Sequence, residues 1–123
     1  MSGEDEAGIL LFSYGSLSKP EVQLANFGRL LDGEPDALTG YVISKVTIDN
    51  PAAIAASGTA IHDLALPSGN PADLIKGMLF RLTAAEIAAA DIYEDIAFSK
   101  YYSRVAVRLA SGVEAFVYVS GGD

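Results

Sequence analysis

The chain has 123 residues, half of them hydrophobic, and a formal net charge of -8. That length suits one domain with a core of its own, and the acidic balance argues against a nucleic-acid partner, whose phosphates need clustered Lys and Arg. The lack of Cys excludes thiol nucleophiles, disulfides and cysteine-ligated zinc, and a single histidine, His62, cannot build a histidine metal cluster.

The opening "MSGEDEAG" is acidic and small, and residues 1–8 are expected to be disordered ahead of one domain over 9–119, with 120–123 flexible. No apolar run approaches a membrane span and no basic, apolar leader opens the chain, so a cytoplasmic protein with no membrane partner is expected. "GILLFS" (8–13) is a continuous apolar run and predicts a strand buried on both faces. It runs straight into Tyr14-Gly15-Ser16-Leu17, although a connection that only reverses the chain usually reads Asn-Gly or Asp-Gly. Gly15 permits φ > 0 or a close approach to another group. Locally two readings stay open: a tight turn whose aromatic packs on the core, or a loop shaped for a ligand.

"SKPEVQLANFG" (18–28) predicts a short helix, with Ser18 and Glu21 as a capping box and Gly28 as the stop. "ALTGYVISKVTID" (37–49) predicts a second strand. Signals weaken over 50–69, where "GTAIHDL" is compatible with a strand and "PSGNPAD" reads as a loop. "LIKGMLFRL" (74–82) is strand-like, and Gly77 inside it points to a bulge or a close backbone approach. "TAAEIAAADIYED" (83–95) is the clearest helix, opened by a capping box of Thr83 and Glu86. "YYSRVAVRL" alternates, with Tyr101, Ser103, Val105, Val107 and Leu109 on one face and Tyr102, Arg104, Ala106 and Arg108 on the other. "ASG" then turns the chain into "VEAFVYV", completing a hairpin. Without regular strand–helix alternation the fold class is α+β, and a small, mainly antiparallel barrel would remove exposed strand edges.

The long helix ends in Asp91, Glu94 and Asp95, three carboxylates that oppose the helix dipole. Glu94 follows Ile87 by seven residues, so the two lie about 20° apart on the helical wheel, with Ala90 beside them. If Ile87 and Ala90 face the core, so does Glu94, and burial raises a carboxylate's pKa. The alternative is a frayed helix end with solvated acids paired to Arg104 or Lys100.

Two separated stretches resemble the gamma-glutamylcyclotransferase-like family. "FSYGSL" after a first strand resembles its substrate-binding loop, and residues 75–119 resemble its C-terminal half. Tyr93-Glu94 matches the family's Tyr-Glu pair, Tyr102-Ser103-Arg104 its Tyr-x-Arg, and Phe116 an aromatic of its last strand. The likeness covers 9–33 and 74–119 well and the middle loosely. Asp95 stands where the family usually has Gly, and Ala90 where a larger apolar residue is common. The resemblance implies a small mixed, mainly antiparallel β-barrel with short helices around a cavity.

It also implies a reaction. The α-amine of a γ-glutamyl compound attacks its own γ-carbonyl, closes to 5-oxoproline and expels the attached amine, amino acid or peptide, with no cofactor or metal. Glu94 would be the general acid/base. An exposed Glu near pKa ~4.3 is a weak base toward an amine near ~8, and one raised to about 6–7 is better matched. Tyr14, Gly15, Ser16 and Leu17 would cradle the substrate, with backbone N–H groups meeting an anion. Tyr102 and Tyr118 would place hydroxyls in the cavity, unless they are core aromatics. Arg104 reads more simply as a carboxylate's partner than as a substrate clamp. A hydrolase triad of Ser16, His62 and an Asp lacks the Gly-x-Ser-x-Gly setting, and His62 reads as an ordinary strand residue. The rival function is a non-catalytic module binding a carboxylate on the same fold. The sequence leaves the oligomeric state and the leaving group open.

Overall fold

The computed structural model of the chain describes residues 8–47, 51–57, 61–98 and 102–120. The termini expected to be disordered or flexible lie almost wholly outside these residues. Seven strands form one sheet: β1 (Ile9–Ser13), β2 (Gly33–Thr39), β3 (Tyr41–Thr47), β4 (Ile61–Pro67), β5 (Leu74–Leu82), β6 (Tyr102–Arg108) and β7 (Glu114–Ser120). Helices α1 (Pro20–Phe27), α2 (Pro51–Ser57) and α3 (Ala84–Phe98) fall between them, with one 3-10 turn at Ser16–Ser18. Among the described residues no helix is long and apolar enough to cross a membrane.

The strand order is β2-β5-β1-β7-β4-β3, with β6 on β7. β6 pairs antiparallel with β7 from Tyr102 opposite Ser120 to Arg108 opposite Glu114, so one edge of β7 is fully occupied. The other edge is shared. β1 runs parallel to it at Phe116 and Val117, and β4 meets it through the single pair Ala65–Val119. The remaining pairs are antiparallel, so the class is α+β with a mainly antiparallel sheet, as expected.

The sheet does not close into the expected barrel. Among the described residues β2 pairs only with β5 and β3 only with β4, so the path ends at two strand edges. Those edges belong to consecutive strands: the single strand expected over 37–49 is broken at Gly40, which sits at φ 81 between β2 and β3. The Gly40 N–H donates to the Asp73 carbonyl at 2.8 Å and its carbonyl accepts from the Ser68 N–H at 2.9 Å. The ends are therefore joined by a bend and two loop hydrogen bonds in place of a ladder.

Alternation along the strands divides the buried residues into two cores. Leu11, Phe80 and Tyr118 face the helices, where they meet Leu17, Val22, Ile87, Ala90 and Tyr93. Their neighbours Phe12, Leu79, Val117 and Val119 fill the other face with Leu38, Ala65 and Ile75. Strands covered on both faces read as unbroken apolar runs, which is why "GILLFS" carries no polar alternation. Gly77 is a close-approach glycine as expected. A Cβ there would lie 2.5 Å from the Ser13 carbonyl oxygen and 2.7 Å from the Phe12 ring.

The helix starts differ. Thr83 and Glu86 form a reciprocal capping box, Thr83 N–H to Glu86 Oε1 at 2.9 Å and Glu86 N–H to Thr83 Oγ1 at 3.1 Å. Ser18 does not cap α1. The N-cap is Lys19, followed by Pro20, and the Ser18 hydroxyl turns back to Ser13. Gly28 does close α1, its N–H donating to the Leu24 carbonyl.

Candidate active site

Where β1 ends, the chain makes one 3-10 turn held by the Ser18 N–H on the Gly15 carbonyl at 3.0 Å. The Ser18 hydroxyl bonds the Ser13 hydroxyl at 3.0 Å and its carbonyl at 3.3 Å. Gln23, buried in α1, donates to the Leu17 carbonyl at 2.9 Å and accepts from the Leu31 N–H at 3.0 Å. The side chain of Leu17 is part of the helix-side core. Gly15 is not in a positive-φ conformation, which corrects one of the two reasons expected for a glycine there. A Cβ on it would meet nothing within 4 Å, so the space beside it is open. Among the described residues, no group accepts from the N–H of Gly15 or of Leu17. The Ser16 side chain lies outside the described residues, as do those of His62 and Asp95.

Tyr14 has a structural part in the fold. Its hydroxyl donates to the Tyr118 carbonyl at 2.6 Å and accepts from the Ala65 N–H at 2.8 Å. It therefore plugs the place where β1 ends and β4 begins along β7. Burial pushes its phenol well above the usual tyrosine range, so it stays a proton donor.

Across from the loop, α3 buries Ile87, Ala90, Tyr93 and Glu94 and exposes Ile92, the stripe that a 3.6-residue period dictates. Glu94 is 6 % exposed. No donor among the described residues reaches its carboxylate, and neither oxygen is both sealed from solvent and unpartnered. Burial, and then the charge of Asp91, push its pKa up to about 8. Its charge acts in turn on the phenols of both Tyr14 and Tyr118, raising each.

Asp91 is the polar hub that sequence reasoning left among the helix-end acids. The Arg104 guanidinium grips it with Nε at 2.9 Å from Oδ1 and Nη2 at 3.1 Å from Oδ2. The Tyr118 hydroxyl donates to Oδ1 at 2.6 Å, and the Tyr102 hydroxyl donates to the Asp91 carbonyl at 3.2 Å. Arg104 also lies 4.7 Å above the Phe116 ring, and the rings of Tyr102 and Tyr118 pack at 5.6 Å. Both tyrosine hydroxyls thus point to α3. The carboxylate-partner reading of Arg104 holds, with Asp91 as the partner. Its i, i+3 spacing to Glu94 was the signal for a shared face. Gln23 gave no signal, since its partners are backbone atoms that only the fold brings near.

The family model described as "Gamma-glutamyl cyclotransferase, AIG2-like" matches residues 11–123. The chain belongs to that family. No curated protein sequence matches it. Among solved structures, it is similar to the Arabidopsis thaliana protein At5g39720.1 (TM-score 0.70, 18% identity, covering 100% of this chain and 76% of that one). It is also similar to At3g28950.1 from Arabidopsis thaliana (TM-score 0.66, 22% identity, 92% of this chain and 62% of that one). A gamma-glutamyl cyclotransferase matches with TM-score 0.67 and 13% identity, over 91% of this chain and 66% of its own. This chain therefore spans about two thirds of the length of two of these relatives. At such identities the likeness is one of fold, and it is the cyclotransferase fold.

Proposed function

We propose that this family member is a γ-glutamyl cyclotransferase acting on a small γ-glutamyl amine, amino acid or peptide, with Glu94 as its general acid/base. The observation that carries the reading is a buried carboxylate with its pKa raised to about 8, whose charge also acts on the tyrosine that opens the 14–17 loop. The α-nitrogen of the substrate forms a bond to its own γ-carbonyl carbon, and the original amide C–N bond breaks. Glu94 carries two protons in turn from the attacking nitrogen to the leaving nitrogen, one taken from the ammonium before attack and one from the same nitrogen as the ring closes, and is itself unchanged at the end. The products are 5-oxoproline and the leaving group as a protonated amine, so atoms and charge balance without water.

A base near pKa 8 is better matched to an amine near ~8 than the 6–7 expected from sequence, because proton exchange between them is almost thermoneutral. The N–H groups of Gly15 and Leu17 suit an α-carboxylate or the developing oxyanion. Holding the glutamyl chain folded supplies much of the rest, since effective molarities of oriented partners reach ~10⁵–10⁸ M.

The test is a screen of γ-glutamyl compounds for 5-oxoproline by mass spectrometry, run with the parent and with Glu94→Gln. The variant keeps the shape and loses the base, so turnover should fall about 10²–10⁴-fold while substrate binding persists. A Gln variant as fast as the parent rules out Glu94. A carboxylate-binding module would need only the loop N–H groups, so a parent that binds γ-glutamyl compounds and never cyclises them is such a module.

A further inference from the structure

We propose that Asp91 is a positioning residue for Glu94, acting through the clamp that Arg104 and Tyr118 close on its carboxylate. The inference rests on Glu94 being the acid–base group. Asp91 stands one turn before Glu94 on α3, so the two side chains are neighbours on the helix surface. A second carboxylate there works against the first unless a cation answers it. Arg104 of β6 answers it with two nitrogens, at 2.9 and 3.1 Å, and is itself seated on the Phe116 ring.

The clamp also gives α3 a direction. Apolar contacts of Ile87, Ala90 and Tyr93 hold the helix down but are non-directional, so they leave its rotation loosely set. The Tyr118 hydroxyl on Asp91 at 2.6 Å, the Tyr102 hydroxyl on the Asp91 carbonyl at 3.2 Å and the Arg104 fork set it. The same Tyr118 accepts the Tyr14 hydroxyl on its carbonyl at 2.6 Å. Hydrogen bonds therefore run from the helix that carries Glu94, through β7, to the residue before Gly15. Displacing a reacting group by about 1 Å costs roughly 10²-fold, which gives such a path its worth.

Among the described residues of other elements, the phenols of Tyr14 and Tyr118 feel the Glu94 charge, and Arg104 stands behind Asp91. α2 carries no titratable residue. Arg29, just past the end of α1, reaches α3 at Glu86, two turns away from Glu94. Asp91 is accordingly the charge that acts on Glu94 directly, and Arg104 acts through Asp91 with the opposite sign.

Glu94 can be titrated in the full chain by carboxyl NMR, without substrate. Asp91→Asn removes a negative charge and frees Arg104, so the Glu94 midpoint should fall by about one pH unit, the size of one nearby charge. Arg104→Gln leaves Asp91 unanswered, and the midpoint should rise by about as much. Arg104→Lys keeps the charge and should return it to the parental value while losing the fork. In turnover, Asp91→Asn should lower kcat by about tenfold or more with KM changed only a few-fold. A merely structural Asp91 would lower the melting temperature of its variants and leave the Glu94 midpoint where it is. That result, or a shift of the same sign in Asp91→Asn and Arg104→Gln, overturns the inference. Opposite shifts in a protein that cyclises nothing would uphold the clamp and remove the cyclotransferase reading instead.

Discussion

At neutral pH Glu94 is mostly an uncharged acid, and its stability cost follows from that. Its pKa is about 8 in the folded chain against 4.5 for the free side chain. Between those values the folded state binds the proton more tightly than the unfolded one, so this group's contribution is complete below about pH 4.5. It is lost as pH rises toward 8. Above that, the charged form sits where burial and Asp91 both disfavour it, at a cost of about 5 kcal/mol at most. Gln carries no charge at any pH. Urea melts should therefore find Glu94→Gln close to the parent near about pH 4, and more stable by a few kcal/mol near about pH 9. Equal midpoints at both pH values would mean that Glu94 is solvated. Legibility differed sharply among neighbouring residues. The wheel position of Glu94 tied its direction to that of Ile87 and Ala90, because helical period is local information, and all three are buried. The partnership of Asp91 with Tyr118 joins residues 27 apart through β7 and left no trace in the local pattern.

Among the elements, α3 is the one that its own sequence specifies most completely, and it is also pinned from outside. The capping box of Thr83 and Glu86 uses the residues expected, yet Glu86 also receives the Arg29 fork, Nε at 2.7 Å and Nη2 at 2.8 Å. Arg29 lies just past the end of α1, so one carboxylate ties two helices together; its pKa is held below the usual range first by that Arg29 hydrogen bond. Thr83→Ala removes one half of the box and should cost about 1 kcal/mol, roughly 4 °C in a chain of this size. Arg29→Ala should cost less than that, because the guanidinium is more than one-third exposed and an exposed ion pair is worth little. Thermal melts of both variants check the order, and the reverse order would make the inter-helix tie the principal support. The elements that escaped sequence reading have physical reasons for it. β2 begins Gly33-Glu34-Pro35-Asp36, residues that signal a turn, and it forms a strand because it pairs on one side only, where proline is tolerated. α2 is seven residues long, too short for its periodicity to register.

For the whole molecule, the decisive question is how an unclosed sheet keeps its shape around the loop. β7 collects β6 on one edge and both β1 and β4 on the other, but β4 contributes a single residue pair. A barrel was expected because free edges invite unwanted pairing. The chain instead bends at Gly40 and leaves the gap between β1 and β4 to a side chain. That side chain is Tyr14, whose hydroxyl takes the Ala65 N–H of β4 and gives its proton to the Tyr118 carbonyl of β7. The aromatic at the head of Tyr-Gly-Ser-Leu thus serves the fold, and the space beside Gly15 is open. Tyr14→Phe keeps the ring, including its packing 6.5 Å from Phe12, and deletes only the hydroxyl. Two backbone groups then lose their partner, each at about 1–3 kcal/mol when buried, so the variant should lose several degrees or more in melting temperature. The loss should be local as well as global. Amide exchange at Ala65 should speed up markedly, while the paired centre of β5 and β1 stays protected. Unchanged exchange at Ala65 with an unchanged melting point would show that the single Ala65–Val119 pair suffices, and that Tyr14 is held for the ligand alone.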